Sequence, residues 1–207
     1  MDALFVYLDG EPDDGSAAAV DGRFRVRPLV CLTEAWDAYV KERYPDAAVY
    51  PRCVMKPACR FRFPEAETLP EGYRITLMDK AAFEQHPFSH GVHYPSWEAF
   101  RAEGSGAAAF RDGEIVASAS SFLSLDGEVE LDVSTKEEHR GKGLAAACTA
   151  RMLRDCAERG ITVHWDAQNE ASRHLAEKYG FEPEAEYSVY WLPERKAQEN
   201  SADATGT

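Results

Sequence analysis

Val129-Glu130-Leu131-Asp132-Val133, followed after a short charged connection by His139-Arg140-Gly141-Lys142-Gly143-Leu144-Ala145, decides how this chain folds. The first five residues alternate apolar and acidic, the period of a strand with one buried face. From Leu144 the apolar residues recur at Cys148, Met152, Leu153 and Cys156, a helical stripe that runs to about Glu158, where Gly160 can end it. A second strand at Ile161 to Trp165 and a short helix from Asn169 that stops at Gly180 carry the pattern to Phe181. The turn between the first strand and the first helix is basic and holds two glycines. Backbone N–H groups in such a turn, with the positive end of the helix dipole behind them, point at whatever negative group sits there.

Two phosphate sites share that outline. Gly141-x-Gly143-x-x-Ala146 fits a dinucleotide fingerprint, with Asp166 about twenty residues further on where a ribose-binding acid would fall. Against it, Glu130 and Asp132 make the preceding strand half-exposed, whereas a Rossmann first strand is buried on both faces. The connection from Val133 to Arg140 is too long for a tight turn, and about 40 residues after Asp166 are too few for the rest of a doubly wound sheet. The other outline is a pyrophosphate cradle of the acyl-CoA kind. There His139 to Ala145 supply N–H groups, and the glycines let the ligand approach without meeting a Cβ.

Composition narrows the partners. The chain has 207 residues, 44% hydrophobic and 29% charged, an ordinary globular balance with length enough for a real core. Lys and Arg number 23 against 36 Asp and Glu, a formal net charge of −13. Such a balance repels nucleic-acid backbones and anionic membranes, so neither is expected as a partner. Arg140 and Lys142 are local positive charge on an acidic protein, which suits a small anionic molecule. No apolar run approaches 18 residues and no basic-then-apolar leader opens the chain. Cys31, Cys53, Cys59, Cys148 and Cys156 show no metal or redox spacing, so all five are expected to be structural in a reduced, cytoplasmic protein.

The flanking elements follow from local signals. Leu4 to Leu8 reads as a buried strand, Gly10 to Gly15 as a loop, and Phe24 to Val30 as a strand alternating with arginines. Thr33 caps a helix bearing Trp36, Tyr39 and Val40 on one face, which stops before Pro45. Tyr50 to Phe63 is strand-like but broken by Pro51 and Pro57, and Pro64 to Gly72 is an acidic connector. Tyr73 to Leu77 is a strand, Asp79 caps a short helix, and Ser96 opens another with Trp97 and Phe100 as its apolar side. Asp112-Gly113 and Asp126-Gly127 between apolar runs are hairpin signals joining Ala107–Phe110, Ile115–Leu123 and the Val129 strand. A last strand lies near Tyr187 to Leu192. Pro87, Gly91 and Pro95 break any helix around His86, His90 and His93, which favours loop polarity or acceptor contact over a metal site.

On these residues the chain resembles the GNAT superfamily of N-acetyltransferases. Arg140 to Ala145 matches its Q/R-x-x-G-x-G/A motif, and Asn169 through Ser172 to Leu175-Ala176-Glu177-Lys178-Tyr179-Gly180-Phe181 matches its next helix and turn. Thr135, Trp165-Asp166 and the Leu-Ala-Glu-Lys of the last helix also look like the bacterial subgroup that includes the zwittermicin-resistance acetyltransferase. The resemblance implies an α/β (α+β) fold, a mixed, mostly antiparallel sheet flanked by helices that splays open after the Val129 strand. Residues 71–192 would form the acetyl-CoA-binding catalytic domain, 1–70 an N-terminal accessory region and 193–207 a disordered tail. Acetyl-CoA would pair with the main chain of Leu131, Asp132 and Val133. Its pyrophosphate would meet His139, Arg140, Gly141, Lys142, Gly143, Leu144 and Ala145. Asn169 would reach the pantetheine, or simply cap its helix, and the two roles can coexist.

The chemistry implied is acetyl transfer to an amine, which must be neutral to attack a thioester and so needs a base. Glu130 is the candidate, because many relatives carry a carboxylate on this strand near the splay; the alternative is a solvated strand residue. The family's usual general acid, a tyrosine after the leucine of the last helix, is replaced here by Ala176. Tyr179 reads as core, and Tyr187, Tyr190 or solvent stay open as donors. His164 alternates with Trp165 on a core strand and reads as packed, unless that strand borders the cleft and exposes it. No metal is expected. The acceptor is expected to be a small-molecule amine, a cationic one being what an acidic cleft attracts. The competing expectation is a catalytically silent acyl-CoA-binding or sensing module.

Overall fold

The computed structural model describes residues 5–58, 60–63, 69–87 and 94–193. His90, His93, Cys59, Leu4, most of the acidic connector and the tail beyond Pro193 lie outside the described residues. The chain divides into two compact units, one of residues 53–186 and one of residues 1–52 with 187–207.

In the larger unit, β4 (Tyr73–Leu77), β5 (Gly106–Arg111), β6 (Glu114–Leu125) and β7 (Glu128–Thr135) form successive antiparallel ladders. The Asp-Gly pairs make the turns, with positive φ at Asp112, Gly113, Asp126 and Gly127, as type I′ hairpins require. β8 (Thr162–Ala167) then lies parallel to β7, and on its other side pairs antiparallel with Cys53–Met55 of β3 (Ala48–Lys56). On the core face of this sheet β5 and β6 contribute alanines, with Ala107, Ala109, Ala117 and Ala119 fully buried. Small side chains there let α5 (Leu144–Arg159) settle close, and its stripe Leu144, Cys148, Met152, Leu153 and Cys156 is buried as the spacing predicts. On the opposite face α3 (Lys80–Glu84) and α4 (Trp97–Glu103) bury Ala82 and Phe100 against Met78, Ala108 and Ile115. Arg159, from the end of α5, donates to the carbonyls of Arg101, Ala102 and Gly104, satisfying acceptors at the end of α4. α6 (Glu170–Lys178) packs by Ala176, and Tyr179 just after it donates its phenol to Ala146 O at 2.5 Å.

In the smaller unit, β1 (Val6–Leu8) runs parallel to β2 (Leu29–Cys31), which pairs antiparallel with the end of β9 (Glu182–Trp191). α1 (Asp14–Asp21) and α2 (Glu34–Arg43) cover one side of these strands with Val20, Trp36 and Val40 over Leu8, Leu29 and Tyr190. Tyr190 donates to Asp37, and burial together with that carboxylate pushes its phenol up to about 12, so Tyr190 is a structural group.

Several expectations change. Residues Phe24–Arg27 form turns, and only Leu29–Cys31 is strand. A helix begins at Asp14, inside the stretch read as a loop. β3 runs straight through Pro51, whose missing N–H costs nothing where the strand is exposed. The chain's last strand pairs with β2 near its beginning, while residues 53–55 already belong with β8.

Candidate active site

β7 and β8 are paired over only three rungs, Glu128↔Thr162, Val129↔Val163 and Glu130↔His164. Beyond that point β7 continues to Thr135 against β6 alone, while β8 turns its later residues Trp165–Ala167 to β3. The ladder therefore opens after Glu130, and among the described residues no strand pairs with the β8-facing edge of Leu131–Thr135. Exposed main-chain groups of this kind bind an extended ligand as an added strand would. The sequence expectation of a splay after the Val129 strand describes the same opening.

A single-turn 3-10 helix, Glu137–His139, leads from β7 to the glycine turn. Gly141 and Gly143 both take left-handed φ, 72° and 73°, where L side chains are strained. A Cβ placed on Gly141 would meet nothing within 4 Å, so open space lies over the turn. Gly143 is the N-cap of α5, and no side chain caps the N–H groups behind it. A long helix thus presents its uncapped positive end to that space, the arrangement that suits a phosphate. Arg140 is exposed and Lys142 half-buried, with Lys142 Nζ held 2.6 Å from Glu138 O. His139 is fixed from outside the motif: its Nδ1 lies 2.8 Å from the Tyr73 hydroxyl, and the Arg111 guanidinium covers the Tyr73 ring at 5.1 Å. Sequence reasoning missed Tyr73, which stands 66 residues before His139 and has no motif of its own.

Asn169, two residues past the end of β8, caps α6 through Oδ1, which accepts from Ser172 N at 2.9 Å. Its amide NH2 is then the group left to face a ligand carbonyl. Ser172 Oγ in turn accepts from Trp165 Nε1 at 3.0 Å, fastening the first turn of α6 to β8.

Glu130 lies where the ladder ends. Its Oε1 accepts from the Asp166 main-chain N–H at 3.0 Å, so this side chain spans the first gap beyond the last rung. Because Val129, Leu131, Val163, Trp165 and Ala167 all face the core, the intervening Glu128, Glu130, Asp132, His164 and Asp166 share the opposite face. The expectation that His164 is packed is corrected here. Its side chain is 39% exposed and its Nε2 lies 2.9 Å from Glu128 Oε2. The exposed alternative holds, because His164 alternates with the core-facing Trp165 on a strand that borders the opening.

Ala176 is fully buried, and Tyr179, 2% exposed, belongs to the core. No tyrosine therefore occupies the family's usual acid position. Among the described residues no group of three His, Cys, Asp or Glu side chains could hold a metal, and no helix is long and apolar enough to cross a membrane. A cavity of about 460 Å³ lies between β4, α3 and the β5–β6 turn, lined in part by Arg74, Asp79, Glu114 and Lys136, and touches none of the expected site residues.

Comparison with known proteins agrees with this architecture. A family model described as GNAT acetyltransferase matches residues 4–190. The uncharacterized N-acetyltransferase YdfB of Bacillus subtilis (strain 168) is 27% identical over 169 residues, 79% of this chain; the match spans only 65% of that relative's length. A GCN5-related N-acetyltransferase-like protein from Streptococcus suis superposes with a TM-score of 0.74 at 29% identity, covering 91% of this chain and 79% of that one. A GCN5-related N-acetyltransferase from Kribbella flavida shares the fold at a TM-score of 0.58 and 22% identity, over 86% of this chain and 73% of that one. The mixed, mostly antiparallel sheet flanked by helices is therefore the fold of these enzymes, and the chain belongs to the GNAT acetyltransferase family.

Proposed function

We propose that the protein transfers the acetyl group of acetyl-CoA to an amine of a small molecule. The observation that carries this reading is the coincidence, in one place, of the opened β7/β8 ladder and the left-handed Gly141–Gly143 turn at the uncapped start of α5. Bound acetyl-CoA would supply an activated acetyl thioester. The main chain of Leu131, Asp132 and Val133 would bind its pantetheine arm, and the Asn169 amide NH2 would add a donor from the other side. His139, Arg140, Gly141, Lys142, Gly143, Leu144 and Ala145 would hold its pyrophosphate through N–H groups and positive charge. Glu130, at the end of the ladder, is the carboxylate placed to receive a proton from the acceptor, directly or through water.

The acceptor face supports a cationic amine. Glu128, Glu130, Asp132 and Asp166 all lie on it, and carboxylates attract an ammonium group while raising its local concentration. A small-molecule acceptor agrees with the sequence likeness to the zwittermicin-resistance subgroup. A reduced, cytoplasmic setting agrees with Cys31, Cys53, Cys148 and Cys156, all free thiols. One observation favours the silent acyl-CoA-binding module instead, namely that Ala176 offers no proton donor at the family's acid position. Titration with acetyl-CoA, followed by thiol release with polyamines, aminoglycosides and amino-acid amines, separates the two. Turnover that falls in Glu130→Gln is expected. Binding with no release above hydrolysis on any acceptor would replace the enzyme with the module.

A further inference from the structure

The Glu128–His164 pair stands beside the proposed chemistry without a part in it. We propose that His164 is a catalytic base toward the acceptor amine, and that Glu128 is the positioning residue that orients it; this rests on the acetyl-transfer reading above. Place is the first argument. Glu130↔His164 is the last rung before the ladder opens, so His164 stands at the point where β7 and β8 part. Its ring points away from the core of Val163 and Trp165, onto the face that carries Glu130 and Asp166.

The second argument is the hydrogen bond itself. A carboxylate only accepts, so with Glu128 Oε2 at 2.9 Å the proton of neutral His164 belongs on Nε2. Nδ1 then keeps its lone pair. A carboxylate that fixes one imidazole nitrogen as donor leaves the other as base, and it also stabilises the imidazolium formed when that base takes a proton. Glu130 already accepts from the Asp166 main chain, and one carboxylate cannot hold both protons that an ammonium acceptor gives up. Asp132 and Asp166 also share this face, as does Lys56 of β3, one residue past the registered pair Met55↔Trp165.

Two acceptors match the proton count. An ammonium acceptor loses two protons as the C–N bond forms and the C–S bond breaks. His164 takes the first, which makes the nitrogen nucleophilic, and passes it to solvent, to which its ring is open. Glu130 takes the second and returns it to the departing thiolate, where Ala176 provides no donor.

Two measurements test the assignment, and the first needs no substrate. Long-range ¹H–¹⁵N spectra of the free protein should show neutral His164 as the Nε2–H tautomer, becoming a mixture in Glu128→Gln. An Nδ1–H tautomer, or a spectrum indifferent to Glu128→Gln, overturns the proposal. In the thiol-release assay, His164→Gln should lower kcat by about 100- to 10,000-fold at pH 7, with the KM for acetyl-CoA unchanged. An acid hydrazide, already neutral at that pH, should recover most of the loss. Equal losses for ammonium and hydrazide acceptors overturn it. A wild-type protein that acetylates no amine removes the parent reading and this one together, whereas an active wild type with an equally active His164→Gln removes only this one.

Discussion

The two helices that flank the opened ladder begin in opposite ways. α6 starts with Asn169, whose side chain accepts from Ser172 N and so satisfies one of its orphan donors. α1, α2, α3 and α4 do the same with Asp13, Thr33, Asp79 and Ser96. α5, with 16 residues the longest of the six described, starts on a left-handed glycine and has no side-chain cap. Glycine in place of a capping side chain costs a helix a few tenths of a kcal/mol. That loss is tolerated here because the six buried residues of α5 hold it to the sheet from Leu144 onward. Such breaches of a local rule are expected where a ligand completes the structure. The same donors that would satisfy a serine or aspartate stay available to a phosphate.

Substitutions can be ranked by how hard they press on that difference. Gly143→Asp should have the largest effect, because it places a carboxylate at the anion cradle and a side chain on a left-handed backbone. Acetyl-CoA affinity measured by titration calorimetry should fall at least about 100-fold, roughly 2.7 kcal/mol, with the circular-dichroism spectrum unchanged. Unaltered affinity would remove the cradle from the site. At α6, Asn169→Ala should cost about 1 kcal/mol of stability in urea unfolding. Asn169→Asp keeps the cap but not the NH2, so it should spare stability and weaken acetyl-CoA severalfold. Were Asn169 a cap alone, Asp would be silent in both assays.

Tyr179→Phe tests whether the two helices act as one. It removes the phenol that reaches Ala146 O in the first turn of α5, at a cost of about 0.5–1.5 kcal/mol, and should loosen acetyl-CoA slightly. The smallest effect belongs to the other compact unit. Hydrogen bonds from Lys41 and Tyr190 hold the Asp37 carboxyl below its ordinary value, and one from Tyr44 does the same for Asp21. A carboxyl with a lowered folded pKa contributes stability above its unfolded value of 3.8, which is lost as pH falls through the folded one. Thermal melts between pH 6 and pH 3 should show this acid loss, and Asp37→Asn should make it shallower.

How much of this was legible in the sequence depended on whether signals were local. Asp112-Gly113 and Asp126-Gly127 announced their hairpins because two consecutive positive φ values need such residues. The α5 stripe and the caps at Thr33, Asp79, Ser96 and Asn169 were equally readable. α1 was not, because Gly15-Ser16-Ala17-Ala18-Ala19 carries no apolar period and only Val20 is fully buried. Its start signal was the reciprocal Asp13–Ser16 box, with serine where glutamate or glutamine is usual. The pairing of β2 with β9 joins Leu29 to Tyr190, a relation that no local pattern contains. At the site, the glycine motif and Asn169 could be picked out by spacing. Tyr73 behind His139 and Glu128 beside His164 came only from the folded chain, their partners lying 66 and 36 residues away in sequence.

The Glu130–Asp166 contact also has a mechanical meaning. A parallel pair that stops after three rungs is a crack in the sheet, and thermal fraying concentrates at a crack's tip. The next main-chain amide beyond the tip is gripped by a side chain instead of by a strand. The Asp166 N–H should therefore exchange with deuterium far more slowly than its position outside the ladder suggests, and the width of the cleft becomes a fixed dimension of the fold.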